Sequence, residues 1–278
     1  MNTAPDEISG GDAPSQTALR VLAESAARAG GEVALRFFKG ELNVRLKPDR
    51  SEVSEADEET QAVIIAHIRA ARPHDTFVAE ERLTSAFAPE ASDAGLCWII
   101  DPIDGTRNFI RHIPLFAACV GVMHAGIPIA GAIYVPVRGW MYSGSLEEGV
   151  FLNGERVSPG EAGRPRSVSA KPVVAVPSTP YGPTADLAHA WLDRFASRSL
   201  GSTALHMAMV ASGELDAMIA DNPRVWDVAA GWAMILASGG RVVDPRGAEL
   251  FPRSVEAYHN DVLPFYAFSA ARHPSLEI

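Results

Sequence analysis

The chain has 278 residues and a formal net charge of −10, from 34 acidic against 24 basic residues, with 47% hydrophobic and 21% charged residues. That composition supports one large domain or two modest ones and excludes a disordered or coiled-coil chain. With no basic excess to neutralise phosphates, neither nucleic acid nor an anionic membrane is expected as a partner. A small phosphorylated substrate stays open, provided metal cations stand between the two negative partners.

Residues 1–15 read as a disordered tail, rich in Ser, Gly, Pro and acids, without the basic start or apolar core of a signal peptide. Leu19, Leu22, Ala26, Val33 and Phe37 recur at helical spacing and predict a helix over Gln16 to Lys39. A second helix is predicted over Glu55 to Ala71, stopped by Pro73. A strand over Thr76 to Ala79 then leads into Glu80-Glu81, and one over Leu96 to Ile100 leads into a turn, Asp101 to Thr106. Phe116 to Val135 is apolar and about long enough to cross a bilayer, yet His124-Ala125-Gly126-Ile127-Pro128 divides it. Two buried strands joined by a turn explain that pattern better than a membrane helix.

Further strands are expected at Gly139 to Tyr142 and Gly149 to Gly154. Residues 158–166, with Pro159, Gly160, Gly163 and Pro165, form the candidate boundary between an N-terminal half (16–157) and a C-terminal half (167–278) of one catalytic unit. Beyond it come a strand at Val173 to Val176, helices at Thr184 to Phe195 and Ser202 to Ser212, and a strand at Leu215 to Ala220. A helix at Val228 to Ala237, capped by Gly239-Gly240, and a strand at Arg241 to Val243 follow. This mixture predicts an α+β layered fold. Cys97 and Cys119 are too few for a disulfide framework and sit in apolar runs, as small buried hydrophobes in a reducing compartment. The chain is expected to be soluble and cytoplasmic.

The candidate chemistry lies in carboxylates placed where strands end or helices start. Glu80 and Glu81 follow one strand, Asp101 and Asp104 bracket the next turn, Asp57 sits near one helix start and Asp227 opens another. Clustered carboxylates repel unless a cation binds among them, and oxygen-only ligands suit Mg²⁺ or Mn²⁺ rather than zinc. Two such ions suit phosphoryl transfer, activating water and stabilising charge on the attacking and leaving oxygens. In the Asp101–Thr106 turn Pro102 adds stiffness, Gly105 permits close backbone approach, and N–H groups ahead of Thr106 and Asn108 would make an anion site. Each residue also has an ordinary reading: Asp57 in a capping box with Ser54, Asp227 as a helix-start acid, Asp101-Pro102 and Asp104-Gly105 as turn pairs, Glu80-Glu81 as solvated charges.

Taken jointly, the motifs resemble those of the inositol monophosphatase family. Trp98-Ile99-Ile100-Asp101-Pro102-Ile103-Asp104-Gly105-Thr106-Arg107-Asn108-Phe109 is similar to its W-x-x-D-P-[IL]-D-G-T-x-N-F signature. Trp226-Asp227-Val228-Ala229-Ala230-Gly231 with Gly239-Gly240 is similar to the second signature, and Glu80-Glu81 to its G-E-E motif, with Ala79 for Gly. The segment from Lys47 to Asp57 is similar to K-x-D-x-S-x-V-T-x-A-D, with Ser54 for Thr. The resemblance implies a five-layered αβαβα sandwich, of the type shared with fructose-1,6-bisphosphatase, and Mg²⁺-dependent hydrolysis of phosphate monoesters with two to three ions.

By that resemblance Glu80, Asp101 and the Ile103 carbonyl hold a first metal. Asp101 bridges to a second, which Asp104 and Asp227 also bind, and a weaker third ion sits near Glu80. Asp57 and Thr106 orient and deprotonate the attacking water, Glu81 supports the ligands, and the Gly105 and Thr106 backbone holds phosphate. Asp104, Ser202, Thr203 and Asp221 are the other expected substrate-side residues. Relatives carry a substrate-binding Glu seven residues before the second-signature Asp; here Ala220 stands there, with Asp221 beside it. Arg111 and His112 either steer an anion at the site mouth or are plain surface residues. The expected substrate is an inositol monophosphate or a related cyclitol or sugar phosphate, acted on by a homodimer with lithium sensitivity. The alternatives are histidinol phosphate, a nucleotide 3′-phosphate, fructose bisphosphate, or a non-catalytic regulatory role. No G-x-S-x-G, G-x-x-x-x-G-K-[ST] or H-E-x-x-H motif occurs, against serine-hydrolase, P-loop and zinc-protease readings.

Overall fold

The computed structural model describes residues 15–40, 42–46, 52–81, 95–159, 171–254, 261–271 and 276. The tail up to residue 14, the Lys47–Ser51 part of one motif and residues 160–166 of the boundary segment lie outside them. The N-terminal part runs α1 (Gln16–Phe37), β1 (Arg45–Leu46), β2 (Glu52–Val53), α2 (Glu55–Ala71), β3 (Thr76–Ala79), β4 (Leu96–Asp104), α3 (Thr106–Ile110), β5 (Ala117–His124), β6 (Ile127–Val135), β7 (Trp140–Ser145), β8 (Gly149–Leu152) and β9 (Glu155–Val157). There follow β10 (Val173–Ala175), a single 3₁₀ turn (Gly182–Thr184), α4 (Ala185–Arg194), β11 (Ala196–Arg198), α5 (Thr203–Ala211), β12 (Ala217–Ala220), α6 (Val225–Ala237), β13 (Arg241–Val243) and β14 (Phe265–Phe268).

Strands β3 to β9 form a seven-stranded sheet in chain order, with β3 and β4 parallel and the other pairs antiparallel. A five-stranded sheet has the order β11-β10-β12-β14-β13. Alternation along β4 assigns its faces. Trp98 and Ile100 pack with Leu19, Ala23, Ile64 and Ile68 of α1 and α2. Cys97 and Ile99 face the other way, into a cluster with Leu205 and Met207 of α5 and Val228 and Ala229 of α6. That cluster continues into Met218 and Phe265 of the smaller sheet, whose outer face (Val174, Ile219, Phe268) is covered by Ala188 and Trp191 of α4. The layers are therefore helix, sheet, helix, sheet, helix, as the resemblance implies.

Several expectations need correction. The predicted turn after Ile100 is strand up to Asp104, because β4 keeps pairing with β5 through an irregularity between Asp101 and Asp104. Helix α6 starts at Val225, so Asp227 is its third residue and does not open it. Strands β9, β11 and β14 were not expected, and neither were the two-residue strands β1 and β2. Strands β9 and β11 have three residues each, too few to establish a period, while Phe265–Phe268 is buried on both faces and shows no alternation. No helix among the described residues is long and apolar enough to cross a membrane, and the Phe116–Val135 run forms the β5–β6 hairpin.

Helix α6 is seated on the larger sheet at glycines. A Cβ on Gly131 would lie 2.6 Å from the Ala230 Cα, and one on Gly121 would lie 2.8 Å from the Ala229 Cβ. Only a missing side chain lets the helix approach this closely, and that approach brings Asp227 to β4. Gly131→Ala should lower the unfolding free energy by about 1–3 kcal/mol, the usual size of overpacking, measured by denaturant unfolding. Unchanged stability would refute this seating.

Candidate active site

Asp101 and Asp104 lie three apart on one strand, which in a regular ladder would send them to opposite faces. The irregularity between them changes that outcome. Pro102 has no N–H for the ladder, Ile103 donates its N–H to Asp101 Oδ1 (3.1 Å), and the Ile103 side chain packs with Ala34, Phe38 and Phe109 on the α1–α2 side. Both carboxylates thereby meet Asp227, and ligand oxygens of the three lie within 4.8 Å of one another.

Each carboxylate is held by donors. Asp104 receives the Ser202 hydroxyl and the Ala204 N–H (2.9 Å) on Oδ2, and the Thr203 N–H (3.3 Å) on Oδ1. A side chain from the larger sheet thus rests on the positive end of α5 in the next layer. Asp227 Oδ2 accepts the Arg224 N–H at 2.5 Å. Asp57 is buried in the first turn of α2, where its Oδ2 accepts the Ser54 N–H and hydroxyl, both at 2.8 Å. The helix-start reading of Asp57 is therefore correct as geometry, and its charge is nevertheless felt at Asp101.

Burial holds the Asp101 carboxyl well above the ordinary range, with repulsion from Glu80, Asp104, Asp227 and Asp57 adding to it. Asp227 is raised for the same reasons. Burial pushes Asp104 up to about 6, against the lowering effect of Ser202, Ala204 and Thr203. Hard oxygen donors that resist ionisation side by side fit a divalent cation of the magnesium class, whose charge removes the repulsion. No His or Cys belongs to this described set.

A cavity of about 770 Å³ opens from this cluster. Glu80, Asp227, Gly105, Thr106, Ser202 and Thr203 line it. Ser178, Tyr181, Ala220 and Asp221 lie toward the other sheet. Thr106 Oγ1 donates to the Ile103 carbonyl at 3.1 Å. Asp221 accepts the Tyr181 N–H at 3.3 Å and is raised by burial. Glu81 is fixed through its backbone: its N–H donates to Gln61 Oε1 (2.9 Å) and its carbonyl accepts Gln61 Nε2 (2.7 Å). Arg111 and His112 are exposed and outside the described cavity wall, His112 standing edge-on to Phe38.

Sequence reading missed Gln61, Arg107 and His206. Gln61 stands four residues after Asp57, on the same helix face, which was a usable signal. Arg107 and His206 line the cavity, and nothing in their spacing marks them. Burial pushes His206 down to about 4, while both cysteines are buried, free and raised, Cys97 to about 11.

An oxygen-donor acidic site in an αβαβα sandwich, able to hold a divalent cation, is what a metal-dependent phosphoric monoester hydrolase requires, and the family match identifies that class. The sequence profile of the inositol monophosphatase family matches residues 15–264, and the chain belongs to that family. It is 34% identical to an inositol-1-monophosphatase of Mesorhizobium japonicum, over 83% of this chain and 86% of the relative. It is 28% identical to the Nus factor SuhB of Pasteurella multocida, over 87% and 95%. The crystal structure of the extragenic suppressor protein SuhB from Bartonella henselae superposes with a TM-score of 0.77 at 28% identity, covering 91% of this chain and 95% of that one.

The raised carboxyls hold protons in the folded chain that the unfolded chain has released. Their contribution to stability is complete below the unfolded value near pH 4 and is lost as pH rises through about 6 and beyond. A divalent cation competes with those protons. Mg²⁺ should therefore raise the melting temperature more at about pH 7.5 than at about pH 5.5, read by thermal unfolding with and without the ion. An equal shift at both values would contradict the carboxylate assignment.

Proposed function

We propose that the protein hydrolyses a small phosphate monoester, an inositol monophosphate or a related cyclitol or sugar phosphate, with Mg²⁺ held by the acidic cluster. The observation that carries this reading is the convergence of Asp101, Asp104 and Asp227, the last of which lines a cavity of about 770 Å³ together with Glu80. Bound magnesium would supply Lewis-acid charge for the phosphate oxygens and lower the pKa of the attacking water.

The chain's own residues divide the remaining work. Glu80, Asp101 and the Ile103 carbonyl would hold one ion, and Asp101, Asp104 and Asp227 a second. Thr106 spends its proton on the Ile103 carbonyl, so toward a water it acts as an acceptor, aiming the oxygen while Asp57 takes the proton. Gly105 and Thr106 line the cavity, and their backbone would hold the phosphate. Ser202, Thr203 and Asp221 line the way to the leaving group, with Asp221 taking over, one residue later, the hydroxyl-binding role lost at Ala220.

A second reading, a regulatory protein, draws on the match to a Nus factor. Purified protein screened for phosphate release from inositol 1-phosphate, histidinol phosphate, fructose 1,6-bisphosphate and adenosine 3′,5′-bisphosphate separates the two. Mg²⁺-dependent release abolished by EDTA supports the enzyme, and none from any ester favours the regulator. Asp101→Asn should cut release by about 10³-fold, the scale of losing a preorganised electrostatic group. It should also raise the melting temperature of metal-free protein at neutral pH by removing a carboxyl whose ionisation the folded site opposes. Asp221→Asn should raise KM roughly tenfold with kcat nearly unchanged, as expected for loss of one charge-assisted hydrogen bond.

A further inference from the structure

His206 is buried in α5 and lines the cavity, outside every motif that carries the chemistry. Its Nε2 lies 2.9 Å from the Leu200 backbone nitrogen. A backbone N–H can only donate, so Nε2 carries a lone pair and the ring is neutral, with its proton on Nδ1.

What Leu200 anchors makes this bond consequential. The Leu200 carbonyl accepts Asn108 Nδ2 at 2.7 Å, and the same amide donates to the Leu115 carbonyl at 2.6 Å. Gly201 follows in the left-handed region (φ 76°), where a Cβ would fall 2.8 Å from the Asn108 amide. Ser202 comes next; its hydroxyl donates to Asp104 and accepts the Leu205 N–H at 3.1 Å. The turn from Leu200 to Ser202 is thus pinned by Asn108 on one side and His206 on the other, and its far end rests on the Asp104 carboxylate.

We propose that His206 is a positioning residue: as a fixed acceptor for the Leu200 N–H, it holds the Leu200–Ser202 turn and through it the orientation of Asp104 toward the metal. The inference rests on the reading of Asp104 as a metal-holding carboxylate. A histidine that merely filled space would be replaceable by an apolar side chain of similar size. Here such a replacement removes the acceptor of the part-buried Leu200 N–H, and the turn loses its hold on that side.

The test is calorimetric titration of metal-free protein with Mn²⁺, together with kcat and KM for inositol 1-phosphate. His206→Leu should weaken Mn²⁺ binding by about 10–100-fold, the usual cost of removing a partner that orients a metal ligand, and lower kcat more than it raises KM. His206→Gln places Oε1 near the position of Nε2 and should restore most of both. Mn²⁺ affinity unchanged in His206→Leu, no rescue by Gln, or an effect confined to KM would each overturn the inference. Should His206→Leu fail to fold, Ser202→Ala breaks the same chain at its other end and should weaken Mn²⁺ binding likewise; unaltered affinity overturns the proposal. Wild-type protein that binds no Mn²⁺ would overturn the site reading itself, and this inference with it, whereas a wild type that binds Mn²⁺ alongside an unaffected His206→Leu fails this inference alone.

Discussion

Three carboxylates whose oxygens lie within 4.8 Å repel one another in a poorly solvated cleft, and the fold must hold them there against that repulsion. It does so with a separate set of restraints for each residue. Asp101 is fixed by the β4–β5 ladder and the Ile103 N–H, Asp104 by three donors at the start of α5, and Asp227 by the Arg224 N–H in the first turn of α6. Each restraint comes from a different element. The cluster therefore exists only when the larger sheet, α5 and α6 are assembled together.

This placement ties the stability of the seam between the layers to the charge state of the site. The central helical layer packs through apolar contacts to both sheets, and those contacts outweigh the cost of the acidic cluster. Gly121 and Gly131 are part of the same arrangement, since they let α6 lie close enough for Asp227 to reach β4. A site that is unfavourable in the bare protein and relieved by a cation is a local conflict with the fold, of the kind expected where function overrides stability.

The carboxylate cluster and the rest of the cavity lining are built differently. The cluster consists of side chains locked by backbone donors and allows little variation in geometry. Other residues of the lining lie in the loops between β10 and α4 and after β12, joined by the Tyr181–Asp221 bond across the two loops.

Most elements were legible in the sequence because their signals are local. The periodicity of α1, the Ser54 start and Pro73 stop of α2, and the interrupted apolar run of β5 and β6 each depend on a short window. The acidic motifs were legible for a related reason: Asp101, Asp104, Glu80 and Asp227 are oxygen donors beside turn residues, and their order matches a family. Three things were decided only by tertiary structure. The irregularity in β4 that turns Asp104 toward Asp101 depends on pairing with β5, so sequence placed both residues in a turn. The role of Asp57 as both helix start and member of the charged cluster depends on how α2 packs on the sheet. The bond from Ser202 to Asp104 joins residues 98 positions apart, and no periodicity or motif can encode a contact made only when two layers close on each other. The His206–Leu200 bond beside it spans six residues, yet its consequence for Asp104 appears only once that longer contact is made.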